Sequence, residues 1–374
     1  MTTHKNFVPP PMPILSSVIG LREKAELLSG GAIDLSVGNP IDPVPDIVVE
    51  SLKDHDLARP YPISAKRDEA MSEVINDWAQ RQLKTTVHSS NYGICIGTKE
   101  FVAGAPNILK LRDSSRDTVL YPEVAYPSYE MGAELAGCRA VPVAMNEKWE
   151  IDVSSIDPQD AQRALMMWIN TPGNPAGGLD DLETVVQWGR ENNVPIFSDE
   201  CYVEFTWDGP PQSVLQHGTE GVVAVHSLSK RSNLAGLRFG FYAGDSELVK
   251  YFRDVRRHQG LMVPGHAQVA GIAALEDQTH VEVQRARYES RLKRLIEVLS
   301  LIGVEAEMPR GSFYLWVPSP KKDSGKLALQ LAETLGIVSV PGETYGARGA
   351  GYVRLAAIVS EDDLSLLEDR AQSA

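Results

Sequence analysis

The sequence has few cysteines, and they follow no recognisable pattern. Three occur among 374 residues, Cys95, Cys138 and Cys201, and their spacing is wide and irregular. A disulfide framework needs an even, closely spaced set, and the metal-binding patterns C-x-x-C and H-E-x-x-H are both absent. We therefore expect no metal site, and free thiols in a reducing compartment, the cytoplasm.

Long hydrophobic runs and an excess of positive charge are also missing. The longest stretch without Asp, Glu, Lys or Arg is 258–275, and it contains His, Gln, Gly and Pro, so no transmembrane helix is predicted. Four prolines interrupt the apolar N-terminal stretch 6–21, which argues against a cleaved signal peptide. With 36 Lys and Arg against 50 Asp and Glu, the formal net charge is −14, which disfavours non-specific nucleic-acid binding.

What the sequence does contain is the composition and alternation of an α/β protein. Apolar residues make up 43% and charged residues 23%, and the length suits about two domains. Short apolar runs predict strands at 93–96, 118–121, 140–144, 164–169, 194–198, 221–226 and 239–243. Helices are predicted between them, for example at 100–111, 126–136 and 180–191. This alternation predicts a mostly parallel seven-stranded sheet covered on both faces.

A change of pattern near residue 264 predicts a second, smaller α+β domain. A charged helical run at 281–301 precedes a strand-like segment at 312–317, a helix near 327–335, and strands near 337–340 and 351–357. We expect this domain to span 264–374, with an N-terminal arm at 1–45 joining it. Residues 46–263 would form the large domain.

The segment 227–240, SLSKRSNLAGLRFG, begins where a buried strand is predicted to end, so Lys230 would emerge into a cavity. A lysine there forms a Schiff base when burial or nearby cations lower its pKa toward ~7–8. Ser227 and Arg238 supply a hydroxyl and a guanidinium suited to phosphate. The pattern Ser227-x-x-Lys230 also matches serine acyl enzymes, but their S-D-N and K-T-G partners are absent.

Polar side chains also follow the neighbouring predicted strands. Asp199 ends the run VPIFSDE, where a carboxylate either forms an ion pair, caps a helix, or partners a protonated pyridine nitrogen. Tyr202, three residues on, is placed to reach the phenolic oxygen of the same ring. Asn174 lies in the turn 170–177, which either has only a structural role or presents an amide to that oxygen.

Three further positions suit an anionic, planar ligand. Gly97-Thr98-Lys99 joins a strand to a helix, where backbone N–H groups attract phosphate, although the G-x-x-x-x-G-K-[ST] motif is absent. Tyr126 either stacks on a flat cofactor or belongs to the core. Arg354 lies within an apolar strand, so either an internal carboxylate or the carboxylate of a substrate must meet it.

In this order and spacing, from Val37-Gly38-Asn39-Pro40 to Arg354, the motifs resemble the fold-type I pyridoxal-5′-phosphate (PLP) aminotransferases of classes I and II. The resemblance implies that Lys230 binds PLP covalently and serves as base for the proton shift. It implies that Asp199 pairs with the pyridine nitrogen, and that Asn174 and Tyr202 bind the phenolic oxygen.

The same resemblance assigns the remaining contacts. Tyr126 would stack on the ring, and Arg354 with the backbone of Gly38 would take the substrate α-carboxylate. The implied phosphate ligands are Gly97, Thr98, Lys99, Ser227, Ser229 and Arg238. Tyr61 matches the tyrosine that reaches the phosphate of the partner subunit, which implies a homodimer with shared sites. After Tyr61 the chain departs from the family's usual Gly and Leu-Arg, so the local loop differs.

The resemblance also narrows the reaction. Asp199-Glu-Cys-Tyr202 fits transaminases better than C–S lyases, which usually have His in the last position. Segments 96–100, 199–205, 226–236 and 257–264 are similar to N-succinyldiaminopimelate aminotransferases of lysine and diaminopimelate synthesis. Such a substrate carries several carboxylates, so a second cation is expected: Lys99, or less directly His258 or Arg67. The alternatives are aspartate, alanine or aromatic transamination, PLP-dependent lyase or decarboxylase chemistry, and a non-catalytic PLP-binding regulator.

Overall fold

The computed structural model describes residues 13–53 and 55–374. The beginning of the predicted arm, and with it much of the proline-rich stretch 6–21, lies outside the described residues. No helix in the described ranges is long and apolar enough to cross a membrane.

The described residues form thirteen α-helices. In chain order they are α1 Pro13–Ala25, α2 Asp46–Ser51, α3 Ala65–Leu83, α4 Thr98–Arg112, α5 Ser128–Leu135, α6 Pro158–Arg163, α7 Leu182–Asn192, α8 Leu228–Arg231, α9 Ser246–His258, α10 Gly265–Glu276, α11 Thr279–Leu301, α12 Ser324–Leu335 and α13 Glu361–Ser373.

The strands are short and mostly buried. They are β1 Ile33–Asp34, β2 Tyr92–Cys95, β3 Thr118–Pro122, β4 Arg139–Val143, β5 Ala164–Asn170, β6 Ile196–Asp199, β7 Val222–Ser227, β8 Gly240–Gly244, β9 Tyr314–Pro318, β10 Ile337–Val338, β11 Val340–Pro341 and β12 Tyr352–Ala356.

The large sheet has seven strands in the order β2-β8-β7-β6-β5-β3-β4. The five strands from β7 to β4 are parallel, and β8 is antiparallel to both β7 and β2. Every residue of β5, β6, β7 and β8 is buried, as expected for strands with helices on both faces. The predicted fold class is confirmed.

The smaller sheet is antiparallel, in the order β11-β12-β9. Beside it β1 pairs in parallel with β10, with Ile33 opposite Ile337, so a strand ahead of α2 pairs with a C-terminal strand. The predicted strand at 337–340 is two short strands that pair with different partners.

Helix starts differ from the predicted ones for local reasons. The helix predicted from residue 180 begins at Leu182, because the side chain of Asp181 accepts a hydrogen bond from the backbone N–H of Thr184 and caps it. The helix predicted from Tyr126 begins at Ser128, after Pro127. Tyr126 therefore stays in the loop at the edge of the sheet.

Helix α10 packs on the large-sheet side of the molecule. It contacts α2 and α3, and Ala267, Ala270 and Ala274 are buried in the same hydrophobic core as β5 to β8. The domain limits 1–45, 46–263 and 264–374 stay a prediction, and this packing leads us to propose that the smaller domain begins after Glu276.

Candidate active site

The candidate site is a cavity of about 460 Å³ where the parallel strands end. The predicted site residues that line it are Gly38, Thr98, Lys99, Tyr126, Asn174, Asp199, Tyr202, Ser227, Ser229, Lys230, Arg238 and Arg354. Strands β5, β6 and β7 lie side by side, so the segments that follow their carboxyl ends deliver residues from distant parts of the sequence to one edge. β12 of the small sheet contributes Arg354.

Lys230 lies in the short helix α8, directly after β7. The hydroxyl of Ser227 caps this helix by accepting a hydrogen bond from the backbone N–H of Ser229, with 3.1 Å between the atoms. The ammonium of Lys230 donates to the backbone carbonyl of Gly38. Burial, aided by the positive charges of Arg354 and Arg238, lowers the pKa of Lys230 to about 8. A substantial fraction of a lysine with such a pKa is neutral near physiological pH, as a nucleophile requires.

Asp199 is a buried acid at the end of β6, and no cation in the described part of the chain pairs with it. The hydroxyl of Tyr129 donates to its Oδ2 over 2.9 Å, and the backbone N–H of Cys201 donates to its Oδ1 over 3.3 Å. Burial raises the pKa of Asp199, although both hydrogen bonds oppose that rise. A cationic ring nitrogen from a ligand would stabilise the carboxylate that burial disfavours.

Arg354 is buried within β12, and within the described ranges it has no acidic partner. Its NH1 donates to Oδ1 of Asn174 over 2.9 Å, and its NH2 donates to the backbone carbonyl of Ser36 over 2.5 Å. The guanidinium also lies over the rings of Tyr314 and Tyr345, at 4.3 and 4.9 Å from their centres. A buried guanidinium with only neutral acceptors suits a carboxylate that arrives with a ligand.

Asn174 is oriented by that contact. Because its amide oxygen accepts from Arg354, its NH2 group is the end left for a ligand oxygen in the cavity. The backbone N–H of Asn174 is in turn held by Oδ1 of Asn170 at 2.7 Å. The turn 170–177 therefore presents an amide donor in a fixed position.

A cradle for an anion forms where β2 leads into α4. Gly97 has a φ of +73°, and a Cβ on this residue would come within 2.2 Å of the guanidinium of Arg238. Only glycine allows the backbone and the guanidinium to approach this closely. Thr98, Ser227 and Ser229 line the same cavity, and each has a hydroxyl. The 15-residue helix α4 begins at Thr98, so its N-terminus lies at this cavity. This donor set fits a phosphate group.

The cavity as a whole fits PLP: an anion cradle, a lysine of lowered pKa, and a buried acid without a cation. Tyr126 and Tyr202 also line it. Among the described residues, no group of three or more His, Cys, Asp or Glu is placed to hold a metal ion.

Some predicted residues lie elsewhere. Tyr61 is 79% exposed and does not line the cavity, so its assignment to a partner's phosphate stays a prediction. Arg67 donates to the side chain of Gln268, and His258 ends α9; neither lines the cavity. The ammonium of Lys99 lies 5.8 Å from the ring centre of Tyr126 and forms no ion pair with another described residue.

The sequence did not point to four contributing residues. Tyr129 supports Asp199, Ser36 holds Arg354 through its backbone carbonyl, and Tyr314 and Tyr345 cover the faces of the guanidinium. Tyr129 lies three residues after Tyr126, in the first turn of α5, and this closeness to a predicted site residue was a usable signal. The two other tyrosines lie in ordinary-looking apolar segments and gave none.

The chain is similar to known aminotransferases in sequence and in fold. Residues 31–369 match the family model described as aminotransferase class I and II. The 4-dedimethylamino-4-oxo-anhydrotetracycline transaminase OxyQ of Streptomyces rimosus is 35% identical over 92% of this chain and 94% of its own length. The LL-diaminopimelate aminotransferase of Syntrophobacter fumaroxidans is 35% identical over 91% of each chain. The solved structure of a probable N-succinyldiaminopimelate aminotransferase from Thermus thermophilus superposes with a TM-score of 0.84 at 27% identity, covering 96% of this chain and 99% of that one.

Proposed function

The chain belongs to the class I and II aminotransferases, and from that premise we propose that it transfers the amino group of glutamate to N-succinyl-2-amino-6-oxopimelate. Enzymes of this family act on amino acids and keto acids with PLP as cofactor. When bound, PLP supplies an electron sink for the electron pair left at the substrate α-carbon. The succinylated acceptor is the part of the proposal that goes beyond the family.

The residues of the cavity divide into those that hold the cofactor and those that hold the substrate. Lys230 is proposed to bind the aldehyde carbon, Asp199 the pyridine nitrogen, and Asn174 and Tyr202 the phenolic oxygen. Tyr126 is proposed to cover the ring. The phosphate ligands are proposed to be Gly97, Thr98, Lys99 through its backbone N–H, Ser227, Ser229 and Arg238, which leaves the ammonium of Lys99 free.

The substrate contacts follow from unpaired positive charge. Arg354 is proposed to bind the α-carboxylate together with the backbone at Gly38. In the structure the Nζ of Lys230 donates to the carbonyl of Gly38. Once a substrate amine has displaced it from the cofactor, the neutral amine of Lys230 would accept and return the α-proton. Burial of Lys230 supports this role because it lowers the pKa.

The observation that carries the substrate class is the second cation in this cavity. Lys99 is exposed to the cavity and has no ion-pair partner among the described residues. With Arg238 assigned to the phosphate and Lys230 to the aldehyde carbon, two further cations in the cavity, Arg354 and Lys99, have no acidic partner among the described residues. Two such cations favour substrates with at least two carboxylates, which glutamate, diaminopimelate and its succinylated form all have. The names of the Syntrophobacter and Thermus relatives support diaminopimelate-type substrates.

Half-reaction rates test the acceptor. We expect N-succinyl-LL-diaminopimelate and glutamate to convert the cofactor's visible band fastest in a panel that also contains LL-diaminopimelate, aspartate, alanine and tyrosine. Faster reaction with unsuccinylated LL-diaminopimelate, tyrosine or alanine contradicts the succinylated acceptor and leaves the family assignment intact. A band that no amino acid changes favours the non-catalytic PLP-binding alternative.

A lysine variant tests the second cation. Lys99→Ala is expected to raise KM for glutamate and for the succinylated substrate by about tenfold, the loss of one charge-assisted hydrogen bond. Lys148→Ala, which removes an exposed lysine outside the cavity, is the matched control. Unchanged KM values for both substrates in Lys99→Ala would show that Lys99 has no such role.

We also propose a homodimer, in the cytoplasm, in which Tyr61 reaches the partner's phosphate. Exposed apolar side chains are frequent between residues 37 and 63, among them Ile41, Ile47, Val49 and Ile63, and this segment includes Tyr61 itself.

Light scattering of the purified protein tests whether it is a dimer. Mixing Tyr61→Ala with Lys230→Ala subunits tests the sharing: only one of the two sites in the mixed dimer keeps both residues, so activity should partly return.

A further inference from the structure

We infer that Tyr314 is a positioning residue that links the two ends of the active site, holding Arg354 through its ring and Tyr202 through its hydroxyl. This inference rests on the proposed function, because it needs PLP in the cavity. It goes beyond that proposal by assigning a role to a residue outside the motifs of the sequence.

The sheet register brings Tyr314 to Arg354. Strands β9 and β12 are antiparallel, with Tyr314 opposite Ala356 and Trp316 opposite Arg354. Tyr314 and Arg354 are therefore diagonal neighbours on one face of the small sheet. The guanidinium lies 4.3 Å from the ring centre, a distance at which a cation is attracted to the ring face.

The hydroxyl of Tyr314 reaches the other end of the site. It lies 3.2 Å from the hydroxyl of Tyr202. The backbone of Gly38 leaves space for it, because a Cβ at that position would lie 2.3 Å from the Tyr314 hydroxyl. Glycine at position 38 is thus required by a contact inside the chain.

The proton count decides the direction of this hydrogen bond. A tyrosine hydroxyl has one proton to donate, so if Tyr202 donates to the cofactor's phenolic oxygen it must accept from Tyr314. Burial raises the pKa of both hydroxyls, so both keep their protons at neutral pH. Nearby groups also act on these pKa values. The charge of Arg354 opposes the rise for Tyr314, whereas Tyr126 and Cys201 add to it. Cys201 and Asp199 add to the rise for Tyr202.

Donation by Tyr314 makes Tyr202 a stronger donor, because a hydroxyl that accepts a hydrogen bond is polarised toward giving its own proton. A stronger donor stabilises negative charge on the phenolic oxygen. Loss of the Tyr314 hydroxyl should therefore raise the apparent pKa at which the visible band of the PLP-loaded enzyme titrates.

The experiment is a pH titration of that band in Tyr314→Phe, Tyr202→Phe and the double variant, together with KM measurements on Tyr314→Phe and Tyr314→Leu. Tyr314→Phe keeps the ring and is expected to raise the apparent pKa of the band by about 0.5 unit with little change in KM. Tyr202→Phe is expected to raise this pKa further, and Tyr314→Phe added to it should cause no further shift. Tyr314→Leu, which also removes the ring, is expected to raise KM for glutamate by about three- to tenfold.

Tyr352→Phe is the matched control, since it removes a hydroxyl from the same strand as Arg354 without touching the cavity. The inference is overturned if Tyr314→Phe leaves the titration as in the wild type, or if its effect persists in full without the Tyr202 hydroxyl. A visible band in the PLP-loaded wild type that no amino acid changes overturns the proposed function as well, so the two failures are distinguishable.

Discussion

Two buried arginines near Lys230 have opposite kinds of partner. Arg231, the next residue in the chain, donates from Nε to the carboxylate of Glu204, and both side chains are about 4% exposed. Arg354 is as buried, yet within the described part of the chain it donates only to the amide oxygen of Asn174 and the carbonyl of Ser36. The first charge is neutralised by the fold, whereas the second is left for a ligand. The difference separates a structural arginine from a binding arginine without reference to sequence motifs.

The largest expected effect is the loss of protein stability when the buried ion pair of Arg231 and Glu204 is broken. In Arg231→Met the buried carboxylate of Glu204 keeps, among the described residues, only the indole N–H of Trp78 as a side-chain donor. We therefore expect a loss of about 3–5 kcal/mol in the free energy of unfolding. Urea denaturation measures it. The double variant with Glu204→Met should recover most of the loss, and failure to recover would mean that Glu204 is not the reason for it.

Lys230 is a half-buried charge that has no acidic partner among the described residues, and this predicts a pH-dependent effect on stability. Its pKa is about 8 in the folded chain and 10.5 ordinarily, so between these values the unfolded chain binds more protons and stability rises with pH. Below pH 8 the full cost of burying the charge remains. Lys230→Met should stabilise the cofactor-free chain at pH 7 by up to about 3 kcal/mol, and this gain should vanish above about pH 10.5.

Denaturation at pH 7 and pH 10.5 checks the Lys230 prediction. Lys99→Met, which removes an exposed ammonium from the same cavity, is the control and should show no comparable pH dependence. A gain in Lys230→Met that is equal at both pH values would come from the added methionine and not from the charge.

Arg354→Met should affect activity and leave stability nearly intact. Loss of the carboxylate contact is expected to lower kcat/KM for glutamate about 100-fold, mainly through KM. No acid is left unpaired within the described part of the chain, so the melting temperature should change by only a few degrees. A large loss of stability with unchanged KM would place Arg354 in the same structural class as Arg231.

The smallest expected effect is on the pKa of Lys230. Arg354 contributes to lowering it, whereas the charge of Arg231, compensated by Glu204, is not among its causes. Arg354→Met should therefore raise this pKa by ~0.5 unit, and the Arg231→Met, Glu204→Met double variant should leave it unchanged. The pH dependence of Lys230 acetylation in the cofactor-free chain, followed by mass spectrometry, measures both.

The sequence was most informative where the site lies at strand ends. Lys230, Asp199 and Asn174 follow buried apolar runs, so their polar character stands out and the carboxyl-edge rule places them together. Local propensity was weaker at boundaries: Pro127 and the cap Asp181 shifted two helix starts by two residues. The packing of α10 on α2 and α3 was not apparent, because an alanine- and glycine-rich helix has no strong polar face.

The order of chemical groups along the chain determined the family, the alternating α/β architecture and the lysine at its centre, because each depends on residues close together in sequence. Only the tertiary structure decided which buried arginine is neutralised, which tyrosine supports Asp199, and that Tyr314 joins Arg354 to Tyr202. The last of these relations depends on the register of β9 against β12 and on the contact between the hydroxyls of Tyr314 and Tyr202. All of them join residues on different elements, from 27 to 112 positions apart, and such contacts leave no local pattern from which they could be predicted.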